Sequence, residues 1–450
     1  MMKRSRTDAS DAPVEEHDSG FAEPMAMFST FPHNDTFVDN RVMVIRAKPD
    51  DNPTSDTYTF VHHKQEYGIL NLEDATISAK ISLKLANGNN NGAASVVVLN
   101  PRPLTQFWKS KTVWVNNEQI NTVTTQENEL AYVRHLLDEV PSQYKPSAPI
   151  NLCIHNTPSL FDNITTLNDH ADAGTVNKGA GERWVACNQG ETAPLYCYDT
   201  IDITGDHKRF VPSSFEIRIK LDRLEKNKCL FGNAADAGLV FIHYNDLKIT
   251  IPAMKPRQQL TAAINQLMIQ QGAECRYYIR QYRYVPTPIR AGINKININD
   301  IFTGSRPTRM VTYVRTQERY NGSYILSPNR MILPDFTFFG VKINEAWVTP
   351  TLQGGREAYL DLRRILNRRN EEMPFKYADF ITDYGILVTD LTENKDSYNR
   401  VLPNTTSGIV GLEMRLNGNL AHDSQLINIG EFRNQLSIGY QSAARSKYAF

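Results

Sequence analysis

Neither sign of charge is in excess: 49 Lys and Arg balance 49 Asp and Glu over 450 residues, for a formal charge of zero. A free-standing nucleic-acid binder carries a basic surplus, so binding driven by bulk charge is not expected. Low net charge favours self-association over repulsion between copies. No run of about 18 apolar residues occurs, so no helix is expected to span a membrane. The first 20 residues hold no apolar stretch of the kind a secretory signal needs. Cysteine is scarce; five residues, an odd number with no CxxC pair, read as reduced thiols in a cytosolic or nuclear setting. The sequons at Asn163, Asn321 and Asn404 are then without consequence, because glycosylation needs secretion. Catalytic signatures are missing too: there is no HExxH, no GxSxG and no GxxxxGK[ST].

Apolar residues make up 41% and charged residues 22%, ordinary globular usage, with 20 Tyr and 19 Phe among abundant Val, Ile, Thr and Asn. That mixture leans toward strands and turns. Residues 1–35, polar and proline-bearing, read as a flexible arm, with Lys3-Arg4-Ser5-Arg6 as a solvated basic tip. Beyond it, Val42-Met43-Val44-Ile45 and the alternating Thr76–Leu85 read as strands, and Asn87–Gly92 as the turn that ends the second. Helical spacing is confined to Glu129–Val140, Gln258–Gln271 and Glu357–Arg369.

An internal repeat organises the chain. Val113-Trp114-Val115-Asn116 followed by Ile120 returns as Val341-Lys342-Ile343-Asn344 followed by Val348, a shift of 228 from position 113 to 341. Each copy precedes a short helix entered through an acidic residue and a tyrosine, Glu129 and Tyr132 or Glu357 and Tyr359. Arg209-Phe210-Val211-Pro212 then matches Arg400-Val401-Leu402-Pro403, and Phe215–Ile219 matches Leu412–Leu416. The first copy carries extra residues within 141–198, a stretch rich in Asn, Asp, Thr, Gly and Ala that reads as an inserted surface loop. Short strands with turn signals between them, broken once per copy by a helix, suit a jelly roll. The expected architecture is mainly β: two tandem antiparallel eight-stranded jelly rolls, at 36–256 and 257–450, the second led by a linker helix.

Candidate chemistry was sought among the remaining residues. Gly174–Gly181 lacks the Lys-Ser/Thr pair of a phosphate loop and reads as a flexible loop. Cys153 and His155 with His170, Cys187 and Cys197 match no zinc spacing. Asp199, Asp202 and Asp206 lack EF-hand spacing, and His62-His63 and Asp206-His207 lack a nucleophile partner. No catalytic residue, cofactor or metal is expected. Arg363, Arg364, Arg368 and Arg369 form the one basic cluster of note, with Arg364 and Arg368 sharing a helical face. It is a candidate contact with genome or a neighbouring copy, or a solvated helix end favourable with the helix dipole.

The ordered landmarks resemble a family, the double jelly-roll major capsid proteins of Polinton/Maverick-type elements and adintoviruses, similar in architecture to adenovirus hexons and virophage capsid proteins. In the second half the resemblance rests on Gly304-Ser305-Arg306-Pro307, the strand Met310–Val314, Tyr320-Asn321-Gly322-Ser323 and Ser327-Pro328-Asn329. Val341–Val348, Tyr384-Gly385 and Asp390-Leu391-Thr392 complete it. In the first half Trp114–Ile120 and Asp202–Leu221 fit the corresponding stretches. Asn116-Asn117 and Asn344-Glu345 replace the family's Asn-Gly, so a different turn type is expected there. The resemblance implies a hexon-like structural protein and not an enzyme: homotrimers of pseudo-hexagonal outline, tiling an icosahedral virion shell around double-stranded DNA, with penton and minor capsid proteins as partners. Such a protein is assembled inside the host cell, in nucleus or cytoplasm, and is not secreted. Loops such as 141–198 would form the outer tower, with Trp184, Tyr196 and Tyr198 as intersubunit anchors. A tandem β-sandwich carbohydrate-binding protein and a minor capsid or spike protein are the alternative classes.

Overall fold

Thr76–Leu85 is a strand because Ile77, Ala79, Ile81 and Leu83 turn to one side and are buried, while Lys80 stays exposed on the other. Sixteen strands make up the four-stranded sheets of the two halves. The computed structural model describes residues 37–439 and 445–446, apart from 50–51, 65–67, 92–94, 122–123, 166, 168–174, 189–194, 202, 204–208, 369–371, 400–401 and 403–406. The arm expected at 1–35 lies outside the described residues, as do His170, Asp202, Asp206, His207 and Arg369.

The first eight strands are β1 (Phe37–Arg46), β2 (Thr57–His62), β3 (Thr76–Leu85), β4 (Trp108–Val115), β5 (Glu118–Gln119), β6 (Leu195–Thr200), β7 (Ile217–Arg223) and β8 (Val240–Pro256). The second eight are β9 (Cys275–Ile289), β10 (Lys295–Phe302), β11 (Arg309–Thr316), β12 (Phe336–Ile343), β13 (Ala346–Trp347), β14 (Ile386–Asp390), β15 (Val410–Leu416) and β16 (Ser424–Ile438). In the first set one sheet runs β1-β8-β3-β6 and the other β2-β7-β4-β5. In the second set they run β9-β16-β11-β14 and β10-β15-β12-β13. Adding eight to every number converts one set into the other. All pairings are antiparallel, and the order is that of two four-stranded sheets wound as a jelly roll, twice.

Each pair of sheets closes on its own core, one around Ile77, Val113, Ile219 and Ile249, the other around Met310, Val341, Leu412 and Leu426. In β8 the buried positions are even-numbered at Val240, Ile242 and Tyr244 and odd-numbered at Leu247, Ile249 and Ile251. A bulge explains the switch: the register shifts between Asn245 and Lys248, and Asp246 takes φ 51°. At the edge of its sheet β9 carries Pro286 and Pro288, which the ladder tolerates only where no donor is required.

The two repeat hairpins share one geometry despite their different letters. Asn116 and Asn117 have φ 49° and 67°, and Asn344 and Glu345 have 49° and 68°. Both are type I′ turns, so the expected change of turn type does not occur. Each leading Asn also grips the next strand. Asn116 exchanges bonds of 2.9 and 3.0 Å with the Glu216 backbone, and Asn344 does the same with Ile409 at 2.9 and 3.0 Å. This pairing corrects the alignment of the following strand: Ile217 stands opposite Val115 as Val410 stands opposite Ile343, so its counterpart is Val410 and not Met414.

Five helices matter here: α1 (Glu127–Asp138), α2 (Lys178–Asn188), α3 (Gln258–Asn265), α4 (Gly355–Ile365) and α5 (Tyr377–Thr382). The linker expected over 258–271 is α3 followed by one π-helical turn, Gln266–Gln270. The helix expected to reach Arg369 ends at Ile365, because Asn367 takes a left-handed φ of 53°. Arg368 is therefore not on the helical face of Arg364. The insertion is not a loose surface loop either, and Lys178–Gly181 begins α2. Val98, Leu167, Ala180 and Phe231 form a small third core beneath it. Among the described residues no helix is long and apolar enough to cross a membrane.

A non-glycine residue in the left-handed region costs about 1–2 kcal/mol. Replacing exposed Glu345 by Gly should therefore raise stability by about 0.5–1 kcal/mol after the added chain entropy. Asn344→Ala should lower it by about 1–2 kcal/mol. Chemical denaturation midpoints of the two variants read both signs.

Candidate assembly interface

The outer face of β9-β16-β11-β14 is covered by other parts of the same chain. One cross-strand row runs Tyr284, Ile429, Val311 and Val388. Over this sheet lies α1, whose Leu130, Val133, Leu136 and Leu137 join the second core although the helix belongs to the first roll. Buried Glu129 ties it down. Its carboxylate accepts from Tyr284 Oη at 3.0 Å, from Tyr313 Oη, and from Arg315 Nη1 at 2.7 Å. Burial first, then the Glu129 charge, pushes both tyrosine hydroxyls well above their usual range, so they stay donors. At the other end of α1, Asp138 bridges Arg280 at 2.9 Å and Arg309 at 3.2 Å.

The insertion adds a second clamp onto the second roll. Asp162 takes both terminal nitrogens of Arg319 at 2.6 Å, Arg330 Nη1 at 2.8 Å and the Ser327 amide at 2.9 Å. Burial raises the Asp162 carboxyl, but the bonds and charge of Arg319 outweigh it and hold the group below the usual aspartate range. Within the insertion Gly179 is obligatory: a Cβ there would lie 1.8 Å from the His155 carbonyl oxygen.

Among the described residues the equivalent face of β1-β8-β3-β6 is exposed along its edge strands β1 and β6, while Thr76 and Ser78 between them are buried. One row runs Val44, Thr250, Thr76 and Thr200, with Val42 beside Pro252 and Tyr198 beside Ser78. Val42 is 64% exposed, Val44 52%, Tyr196 49% and Tyr198 44%. Met43 and Ile45 pack inward on the first core, so β1 is apolar on both faces. A one-sided antiparallel sheet puts polar residues outward. The signal was in the sequence, since four consecutive apolar residues at 42–45 in a strand leave neither side polar, but periodicity alone reads them simply as buried.

The other expected site residues are dispersed. Trp184 is half-buried against the third core, with Nε1 donating to the Ser95 carbonyl at 2.9 Å. Arg364 pairs with Asp361 at 2.7 Å, and Arg363 sits half-buried nearby. Arg368 is buried and donates to the Leu137 and Glu139 carbonyls at 2.8 and 3.0 Å, satisfying the C-terminus of α1. The basic cluster is thus divided between surface and interior. Arg368 borders a cleft of about 340 Å³ between the rolls, lined also by Arg280, Arg309, Arg433, Asp138 and Glu431. Asp199 is no calcium ligand here, because Arg102 holds both its oxygens, at 2.9 and 2.6 Å. Cys153 and His155 do come together, with a third residue that spacing had not suggested, His135 of α1.

No protein-family model matches the sequence, and no curated protein does. Solved structures do match. A chain of the Sputnik virophage structure aligns with a TM-score of 0.64 at 9% identity, over 99% of this chain and 93% of that one. The PBCV-1 capsid gives 0.57 at 9% identity, over 94% and 100%. The mavirus major capsid protein gives 0.55 at 10% identity, over 99% and 95%. These likenesses establish the fold, a double jelly roll built as in viral major capsid proteins.

Removing the Asp162 carboxylate strands Arg319, whose side chain is 5% exposed, so Asp162→Ala should cost about 3 kcal/mol at neutral pH. Because the folded carboxyl titrates below its unfolded value, its contribution is complete above about pH 4 and is lost as pH falls through the lower folded value. Urea melts of wild type and variant should converge as the pH is taken below 4; a gap that stays constant would mean the charge is not what holds the clamp.

Proposed function

We propose that this chain is the major building block of an icosahedral viral shell, of the Polinton/Maverick–adintovirus type, working as a homotrimer of pseudo-hexagonal outline. The observation that carries this reading is the pair of equivalent sheet faces, one covered within the chain and one with Val42, Val44, Tyr196 and Tyr198 exposed along its two edge strands. Two similar rolls in each of three copies supply six similar sides. A ring of three lets the second-roll segments of one copy cover the β1-β8-β3-β6 face of the next. Head-to-tail contacts of this kind close when the rotation per copy completes a circle. The tyrosines Tyr196 and Tyr198 sit on that face as amphipathic anchors. On α4, Arg356, Leu360 and Asn367 just beyond its end are exposed and suited to a neighbour. Arg363 and Arg364 lie beside them.

Function in this reading is assembly and not catalysis. Obligate interfaces bury more than about 2,000 Å², and an exposed valine face supplies the apolar centre they need. Zero net charge lets copies crowd without repulsion, and it leaves the enclosed double-stranded DNA held by confinement more than by a basic lining. Penton and minor capsid proteins would complete the particle within the host cell.

Light scattering on the full chain near physiological salt should give three times the 51.1 kDa monomer mass, without dissociation on dilution. The double variant Val42→Asp, Val44→Asp should run as a folded monomer, since exposed substitutions away from packing change stability by only about 0.5 kcal/mol. A wild-type monomer, or a trimer indifferent to those charges, would overturn the reading.

A further inference from the structure

Three side chains of metal-ligating type converge at the foot of the insertion, from α1 and from the segment that follows the short helix Ala148–Asn151. His135 projects from the last turn of α1; Cys153 and His155 follow the short helix Ala148–Asn151. The His135 and His155 Nε2 atoms are 2.9 Å apart, and Cys153 Sγ lies 3.3 Å from His135 Nε2. All three donor atoms fall within 4.8 Å of one another. Around a tetrahedral zinc ion at about 2.0 Å from nitrogen and 2.3 Å from sulfur, such atoms stand some 3.3–3.6 Å apart. Two sides of the triangle are therefore within a few tenths of an ångström of a ligand set, and the third is no longer than 4.8 Å.

A second, independent feature points the same way. His135 Nδ1 lies 2.9 Å from Glu139 Oε2, one helical turn on. With its Nδ1 proton donated to that carboxylate, His135 turns the Nε2 lone pair toward the cluster, the support that metal-binding histidines use. Arg102, 2.5 Å from the other Glu139 oxygen and 3.0 Å from the same Nδ1, fixes the carboxylate in turn. Burial, foremost, keeps both imidazoles below their usual range and so neutral, the form that ligates. His135 and Cys153 are buried and His155 is half-buried.

We propose that His135 Nε2, Cys153 Sγ and His155 Nε2 form a site for a thiophilic divalent cation, zinc(II) first, with water in the fourth position. On binding, Cys153 loses its proton to solvent as the metal–sulfur bond forms, so affinity falls as pH is lowered. Burial pushes the free thiol up to about 12, and the metal must overcome that. The local charges balance beforehand, with Arg102 and Arg183 facing Glu139 and Asp199; the thiolate offsets half of the incoming charge. The ion would fasten the insertion to α1, and through it to the second roll. This inference does not depend on the assembly reading.

The test uses the untagged full chain, stripped with chelator and titrated with zinc against a chromophoric competitor, and separately with cobalt(II). Wild type should take up zinc stoichiometrically, and Tm should rise by several degrees at a hundredfold excess over Kd. Cobalt should show a sulfur-to-metal charge-transfer band. Cys153→Ser should lose that band, and His155→Asn should weaken zinc at least tenfold. Cys187→Ser, outside the triangle, should change neither. Should Cys153→Ser fail to fold, the His155→Asn titration and the wild-type cobalt spectrum still decide. Wild type that binds no zinc more tightly than buffer chelators, shows no charge-transfer band, or binds equally with His155→Asn overturns the site.

Discussion

A buried carboxylate stands at the centre of the contacts that make the two rolls a single body. Glu129 rides on a helix that the first roll contributes, yet every group it bonds to belongs to the second. Taking such a group out of water is expensive and is tolerated only because two hydroxyls and a guanidinium meet it together. The exchange runs both ways. Leu130 and Val133 complete the second core, while Tyr277, Ile279, Leu436 and Ile438, from the far ends of β9 and β16, complete the first. Neither roll owns a whole interior. Unfolding of one half exposes the other, and cooperativity follows from this trade of side chains rather than from the linker.

Much of this was readable from residue order. Alternation in Thr76–Leu85 located a strand, Gly272 and the spacing before it located the linker helix, and the twice-used Val-x-Val/Ile-Asn hairpin exposed the duplication. What escaped has physical causes. The match of Phe215–Ile219 with Leu412–Leu416 followed side-chain likeness, whereas the fold follows the backbone grip of Asn116 and Asn344, which only pairing reveals. Composition made 141–198 look like an open loop, because its order rests on buried polar contacts. Arg183, fully buried on α2, donates to the carbonyls of Leu99 and Ile154 and to Asn156 Oδ1. Polar residues that order a segment from inside carry no periodic signature. Arg368 could not be placed either, since a single left-handed residue at Asn367 turned it from surface to interior. His135 joined Cys153 and His155 only through packing between segments, which spacing cannot report.

Duplication has kept the frame and released the coverings. Both rolls retain the same strand order and the same Asn-led turn, down to the bond lengths, while Asn117 and Glu345 have drifted apart. What the two turns share is a backbone conformation and a hydrogen bond, and a strained residue can still supply them. The two outer sheet faces, by contrast, have opposite fates. One is dressed with tyrosines, arginines and a helix, and the other keeps Val42 and Val44 toward solvent.

The prolines of β9 bear on how such a molecule meets its own kind. An unpaired strand margin is a template, and chains in bulk tend to extend one another's sheets without limit. Along the stretch with Pro286 and Pro288 the margin has no donors to offer, so ribbon growth is stopped there by missing N–H groups. Contact is diverted to the broad sides of the sheets, where shape and not hydrogen-bond repetition sets the number of partners. In the capsid reading proposed above, that loss of edge pairing favours bodies of finite size over open-ended fibres.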